Sequence, residues 1–520
     1  MDAKTQSAAD ARAPLGLDTA RARDVPLRMA PDEFRRAGHA LVDAIADFLP
    51  TLRTGGRPVT TGESPQAIQA LVDAAAPLPE EGSAADALLR STASLLFDHS
   101  LFNGHAQFYG YITSSPAPIG MLGDLLAAAV NPNVGSWRLG PVATEIEAQT
   151  VRWIGELLGY PSTGGGLLVS GGNLANFVAF LAARRAAATA AGWDVRTLGL
   201  RDPAARPLRV YASAETHTWI QKAADLFGLG TDAIRWIPTD DALRMNVGAL
   251  RDAMTRDRAA GDVALMVVGT AGSVSTGAID PLADIAAVCR ETGTWFHVDG
   301  AYGAFAAALP DASPDMKALR LADSVAVDPH KWLYAPLEAG CTLVRDPALL
   351  RDAFAYHPPY YHFGQEAVNF VDLGPQNSRG FRALKVWLAL RQVGRAGYVR
   401  MIGDDVRLSE RLAARVGEHA ELELFTQSLS ITTFRYVPRG LRASLGAPDA
   451  EAYLDRLNEA LLERIQSGGE AFVSNAVIRG RYVLRACVVN INTTAADVDA
   501  LPEIVARLGR ETDAALRAAR

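Results

Sequence analysis

The sequence predicts an α/β architecture: a domain with a mostly parallel sheet, helices ahead of it and a smaller α+β domain behind. Three observations carry this reading. Between about residues 140 and 350, short β-rich runs alternate with helical runs, as in a sheet whose strands are joined by helical crossovers. From about residue 400 the chain reads helix, strand, helix, strand, helix. At 520 residues it is too long for one small domain, and 49% apolar with 21% charged residues is the balance of a soluble globular protein.

In chain order, residues 1–25 read as a flexible tail without the apolar core of a secretory signal. A helix then starts at Ala30-Pro31-Asp32-Glu33-Phe34, where proline and acids suit the free N–H groups and the dipole of a first turn. Phe34, Ala37, Leu41, Ile45 and Phe48 recur at helical spacing, and 84–97 forms a second amphipathic stretch. Two such helices need a surface to cover, either the parent domain or a second subunit. The strands expected next are Gly166–Val169, Leu208–Ala212, Val263–Val268, Thr294–Val298 and Ser324–Val327. Helical stretches Asn173–Ala187 and Leu282–Glu291 lie between them. Ser428–Tyr436 and Tyr482–Asn490 are the later strand candidates.

Several function classes drop out on composition. Lys+Arg 51 against Asp+Glu 58 gives a net charge of −7 with no basic block, which argues against nucleic acid as a partner. Cys289, Cys341 and Cys487 are too few and too scattered for a disulfide framework or a zinc site, so a reducing, cytoplasmic setting is expected. The apolar run 117–130 is short and carries Asp124, so no membrane span is expected.

The chemistry sits where strands end, because ligands of an open parallel sheet bind outside the carboxyl ends of its strands. The first exit, Ser170-Gly171-Gly172-Asn173, leads into a helix and forms either a phosphate cradle or a plain strand–helix turn. It fits neither the dinucleotide fingerprint nor a Walker loop. The second is Ala214-Glu215-Thr216-His217, where His217 is open to a structural or a functional role. The third is Gly269-Thr270-Ala271-Gly272-Ser273, polar and flexible. In the fourth, His297-Val298-Asp299-Gly300-Ala301-Tyr302, His297 and Asp299 share one face of a strand. Asp299 there needs a cationic partner; a metal site is the rival, but no third ligand has suitable spacing. The fifth is Asp328-Pro329-His330-Lys331-Trp332, which puts a lysine at the end of an apolar strand, where desolvation favours a nucleophilic amine. A phosphate cradle, an anionic aspartate and an imine-forming lysine are together what pyridoxal phosphate requires.

On these residues the chain resembles the group II pyridoxal-phosphate-dependent amino-acid decarboxylases, nearest the aromatic-L-amino-acid decarboxylase branch. Asp328-Pro329-His330-Lys331-Trp332 is similar to that family's lysine signature, and His297-Val298-Asp299-Gly300-Ala301-Tyr302 to its pyridine-nitrogen motif. His105 to Tyr111, Ser136-Trp137, Pro141 to Glu147, Asn377 to Lys385 and Leu484 to Cys487 extend the likeness from about residue 30 to near the C-terminus. The resemblance implies a fold-type I homodimer with shared active sites: an N-terminal helical flap over 26–118, a large cofactor domain over 119–395 and a small α+β domain over 396–520. It implies that Lys331 holds the cofactor as a Schiff base, Asp299 pairs the pyridinium, Ala301 packs under the ring and His217 stacks over it. Gly171, Gly172 and Asn173 would hold the phosphate, with Thr270, Asp328 and His330 in the cofactor shell. Tyr360 resembles the loop tyrosine that protonates the substrate carbon, with Tyr361 an adjacent competitor. Tyr111, Thr113 and Trp137 would line the substrate pocket.

The implied reaction is loss of CO₂ from an L-amino acid, aromatic first, to give the amine. Gly135 stands where the family often has an aromatic residue, and Gly171-Gly172-Asn173 is poorer in serine than its relatives, which suggests a wider or differently shaped pocket. A diamino or dicarboxylic substrate is the alternative, with Glu338 as a residue able to read a cation or to act structurally. An aldehyde synthase, an aminotransferase or another lyase on the same scaffold is the other alternative. The tyrosine at 360 favours simple decarboxylation, because the oxidative relatives tend to lack that donor.

Overall fold

Seven short apolar segments pair into one sheet in the computed structural model, which describes residues 25–53, 56–357 and 367–518. They are β1 (Gly165–Val169), β2 (Leu208–Ser213), β3 (Ile234–Ile237), β4 (Val263–Thr270), β5 (Trp295–Asp299), β6 (Ser324–Val327) and β7 (Gly340–Val344). The order across the sheet is β1-β7-β6-β5-β4-β2-β3. Strands β6, β5, β4, β2 and β3 run parallel, and β7 lies antiparallel to both β6 and β1. Residues of β5, β6 and β7 are buried throughout, as in a sheet covered on both faces. Helices Pro141–Leu158 and Gly172–Ala190 belong to the apolar clusters that cover the two faces.

All five strands expected in this region are present. The two that were not expected have physical reasons to be faint. β3 has only four residues and sits at the sheet edge with two of them partly exposed. β7 opens on Gly340, a poor strand former, and one of its two partners, β1, comes from a chain segment far away.

The second sheet is antiparallel: β8 (Leu422–Ser428), β9 (Ile431–Tyr436), β10 (Ser474–Ile478) and β11 (Arg481–Cys487), in the order β10-β11-β9-β8. The single strand expected over Ser428–Tyr436 is instead the second arm of a hairpin. Ser428 pairs with Ile431 across the two-residue turn Leu429-Ser430, where Leu429 takes φ 50°. β10 and β11 are joined likewise by Arg479-Gly480, both at positive φ. Helices Pro448–Gly468 and Ala495–Ala518 contribute to the apolar core beside this sheet, as does the long helix Ala383–Glu418. That long helix breaks at Gly394, whose φ 66° and ψ 168° are open to glycine at no steric cost.

Among the described residues, those within 50–75 and 98–518, with both sheets, form one compact unit, and 25–49 with 76–97 form another. In the latter, the two expected helices are present as Pro31–Thr51 and Ala85–Asp98, and the rings of Phe48 and Phe97 stack 4.3 Å apart. The tail expected over 1–25 lies, but for residue 25, outside the described residues.

Candidate active site

The carboxyl ends of β1, β4, β5 and β6 meet at a cavity of about 480 Å³. Gly172, Asn173, His217, Thr270, Asp299, Ala301, Asp328, His330 and Lys331 line it, together with Tyr111 and Thr113. Exits up to about 160 residues apart in sequence therefore share one site, as expected of a parallel sheet.

The first exit is shaped for close approach. Gly171 has φ 88°, a conformation that glycine adopts freely, and it turns β1 into the helix Gly172–Ala190. A Cβ on Gly172 would lie 2.7 Å from Asp328 Oδ2 and 3.3 Å from the Ala301 Cβ, so a side chain there would displace the Asp328 carboxylate.

Lys331 Nζ lies 3.1 Å from Asp328 Oδ2, giving the ammonium a buried carboxylate partner. The Lys331 amide donates to the Asp328 carbonyl at 2.9 Å, and the Asp328 amide to the Ala301 carbonyl at 3.2 Å. The second Asp328 oxygen, Oδ1, is buried with no partner among the described residues. His330 is held by Nδ1 2.7 Å from the Ala339 carbonyl, and burial pushes its pKa down. The Thr270 amide donates to Asp280 Oδ2 at 2.8 Å; burial raises Asp280 to about 6.

Asp299 is oriented on both oxygens. Its Oδ2 accepts from Trp219 Nε1 at 2.7 Å and its Oδ1 from the Ala301 amide at 3.2 Å. His217 is exposed toward the cavity, and its Nδ1 accepts from the Trp219 amide at 3.3 Å. Desolvation lowers the His217 pKa, and the charge of Lys331 lowers it further while Asp299 opposes both. His297 has a different job. It is fully buried, with Nε2 2.7 Å from Asn176 Oδ1 and Nδ1 2.8 Å from Ser324 Oγ, so it ties helix Gly172–Ala190 to β5 and β6. Burial pushes it down to about 4. Among the described residues no cluster of His, Cys, Asp or Glu could hold a metal ion.

Some sequence readings end elsewhere. Trp137 is not among the residues around this cavity: its Nε1 donates to Glu145 Oε1 at 2.9 Å and its amide to Asn369 Oδ1. Gly135 does not widen the pocket. A Cβ there would sit 2.4 Å from the Asn377 carbonyl oxygen, so glycine answers to a close backbone approach. Glu338 accepts from Arg382 Nε at 2.8 Å, the structural role. Tyr360 and Tyr361 lie outside the described residues.

Two residues without a sequence-based role complete the site. Trp219 orients Asp299, as above. Arg485 lines the cavity, is 3% exposed, and donates from Nη1 to Ser474 Oγ at 2.7 Å and from Nη2 to the Tyr111 carbonyl at 3.1 Å. Its Nε is buried without a partner, and no carboxylate pairs with it among the described residues. The signal was present: an arginine in the middle of the apolar strand Val483-Leu484-Arg485-Ala486-Cys487 is costly unless something anionic meets it.

A glycine cradle at a long helix's start, a lysine amine, an oriented aspartate and buried polar atoms awaiting partners form a donor set that fits pyridoxal phosphate. Comparison with known proteins agrees. The conserved domain of pyridoxal-dependent decarboxylases matches residues 65–437. An aromatic-L-amino-acid decarboxylase from Bacillus atrophaeus is 32% identical over 474 residues, covering 90% of this chain and 94% of the relative. A phenylacetaldehyde synthase from Petunia hybrida is 29% identical over 470 residues, covering 88% and 90%. The crystal structure of Oryza sativa TDC with PLP and tryptamine matches with a TM-score of 0.85 at 28% identity, covering 94% of this chain and 99% of that one.

Proposed function

The chain belongs to the pyridoxal-dependent decarboxylase family, as a fold-type I enzyme using pyridoxal phosphate, and from that premise we propose that it converts an aromatic L-amino acid to its amine and CO₂. When bound, the cofactor supplies an electron sink for the pair left behind as CO₂ departs. Lys331 is the amine that would hold its aldehyde, and Asp328 Oδ2, 3.1 Å away, is placed to take up or return the Lys331 proton. Asp299, fixed by Trp219 and Ala301, would hold a proton at the pyridine nitrogen. Gly172, Asn173 and Thr270, which line the cavity, would receive the phosphate, with Gly171 making the turn that presents them and His330 beside Asp328. His217 and Ala301 would face the two sides of the ring.

The observation that carries the substrate reading is Arg485, a buried guanidinium that shares the cavity with Lys331 and lacks a carboxylate partner among the described residues. A substrate carboxylate would supply the missing anion and be oriented by it. Tyr111, Ile112 and Val274 give the same cavity apolar surface for an aromatic side chain, and Thr113 adds a polar contact. Tyr360 is the proposed proton donor to the substrate carbon, with Tyr361 the competitor.

An aldehyde-forming reaction is the second reading, favoured by the likeness to the Petunia phenylacetaldehyde synthase. Two variants test the assignment. Lys331→Ala should abolish the visible absorbance band of the purified enzyme, and an unchanged spectrum would sink the lysine's role. Tyr360→Phe should suppress amine formation and divert turnover to aldehyde; undiminished amine would move the proton donor to Tyr361.

The reading extends to a cytoplasmic homodimer with a flap over 26–118, a large domain over 119–395 and a small domain over 396–520. Among the described residues no helix is long and apolar enough to cross a membrane. Leu122, Leu125, Leu126 and Val130 on helix Pro118–Val130 are each more than half exposed, an apolar stripe that a second copy would cover. The break at Gly394 supports the boundary before residue 396.

A further inference from the structure

The segment after Lys331 is held from behind by one buried acid. Asp405, on helix Ala383–Glu418, is 4% exposed, and its Oδ2 accepts from Trp332 Nε1 at 2.8 Å and also from the Tyr334 hydroxyl. Both donors lie within three residues of the lysine. From the same helix, the Tyr398 hydroxyl donates to the Leu333 carbonyl at 3.0 Å. Tyr334 is left-handed at φ 55°, a conformation that a bulky side chain keeps only when its surroundings impose it. The Trp332 ring also stacks on Tyr302, centroids 4.9 Å apart, and Tyr302 follows Asp299 by three residues. The Tyr302 hydroxyl in turn lies 2.7 Å from Ser430 Oγ in the turn between β8 and β9. One connected network therefore runs from Asp405 to the backbone that carries Lys331 and to the loop that follows Asp299.

We infer that Asp405 is a positioning residue for the reaction: by gripping Trp332 and Tyr334 it fixes where the Lys331 amine stands relative to Asp299. This rests on Lys331 being the cofactor-holding amine. An apolar side chain would fill the same volume without a desolvation penalty, and no lysine or arginine pairs with Asp405 among the described residues. What the carboxyl adds is the two side-chain donors it receives from the lysine segment, beside a backbone hydrogen bond from Asn490. Burial pushes its pKa up to about 8, the mark of an acid kept in an apolar setting.

The test uses the holoenzyme and three variants, Asp405→Asn, Asp405→Leu and Tyr334→Phe. Asp405→Leu should keep the fold by circular dichroism, release cofactor at least about tenfold faster on dilution and lose about tenfold or more in kcat with KM within about twofold. Asp405→Asn, which keeps one acceptor oxygen, should fall between it and the wild type. Tyr334→Phe removes one donor alone and should show the same split in smaller measure, which keeps the inference testable if the Asp405 variants do not fold. Ile402→Ala, a packing change in the same helix, controls for stability. Wild-type release and kcat in the folded variants, or equal losses in Ile402→Ala at a matched melting temperature, overturn the inference. The lysine's role fails separately: a visible band that survives Lys331→Ala sinks both claims, whereas a band that responds to Lys331→Ala but not to the Asp405 variants sinks this one alone.

Discussion

His297 and Asp299 stand two residues apart on the same strand face and do opposite work. Asp299 reaches the cavity because Trp219 and the Ala301 amide aim it there, while His297 stays dry between Asn176 and Ser324. The buried imidazole at about 4, against about 6.5 in an unfolded chain, makes a stability prediction. Below pH 6.5 the unfolded chain takes up this proton before the folded protein does, so stability is lost as pH falls from about 6.5 toward 4. Between pH 7 and pH 5 the contribution is roughly 2 kcal/mol. Urea midpoints of wild type and His297→Gln at the two pH values measure it, and the variant should lose that part of the slope. Equal slopes would mean that His297 is not held neutral.

Among the elements, the helix Gly172–Ala190 matters most, because its first turn meets the lysine segment. Gly172→Ala would push a methyl into Asp328, the Lys331 partner. Cofactor affinity should drop at least about tenfold while the melting temperature of the cofactor-free protein changes little. Unaltered affinity in a cofactor titration followed by fluorescence would remove the cradle from the account. This element was readable in the sequence because a strand, two glycines and a helix are adjacent there, and a local pattern can carry a local structure. The exits at His217, Asp299 and Lys331 were readable for the same reason. Arg485 was not assigned, since it belongs to the other sheet and meets the cavity only through packing with Ser474 and Tyr111. Gly135 misled because a missing side chain looks like space, whereas the Asn377 carbonyl takes that space. The hairpin at Leu429-Ser430 was hidden by a turn without the usual Asn-Gly signature.

At the scale of the whole molecule, the stripe on Pro118–Val130 leaves apolar side chains exposed in a single chain. The proposed second copy would cover the stripe. Light scattering should give the mass of two chains for the wild type and of one for Leu125→Lys; a monomeric wild type would contradict the dimer. The most direct measurement of the reaction offers the purified holoenzyme a panel of aromatic, diamino and dicarboxylic L-amino acids and quantifies CO₂, amine, ammonia and peroxide. Simple decarboxylation gives CO₂ and amine in equal amounts from an aromatic substrate, with neither ammonia nor peroxide. Aldehyde with ammonia and peroxide, or turnover confined to the diamino or dicarboxylic substrates, would contradict it.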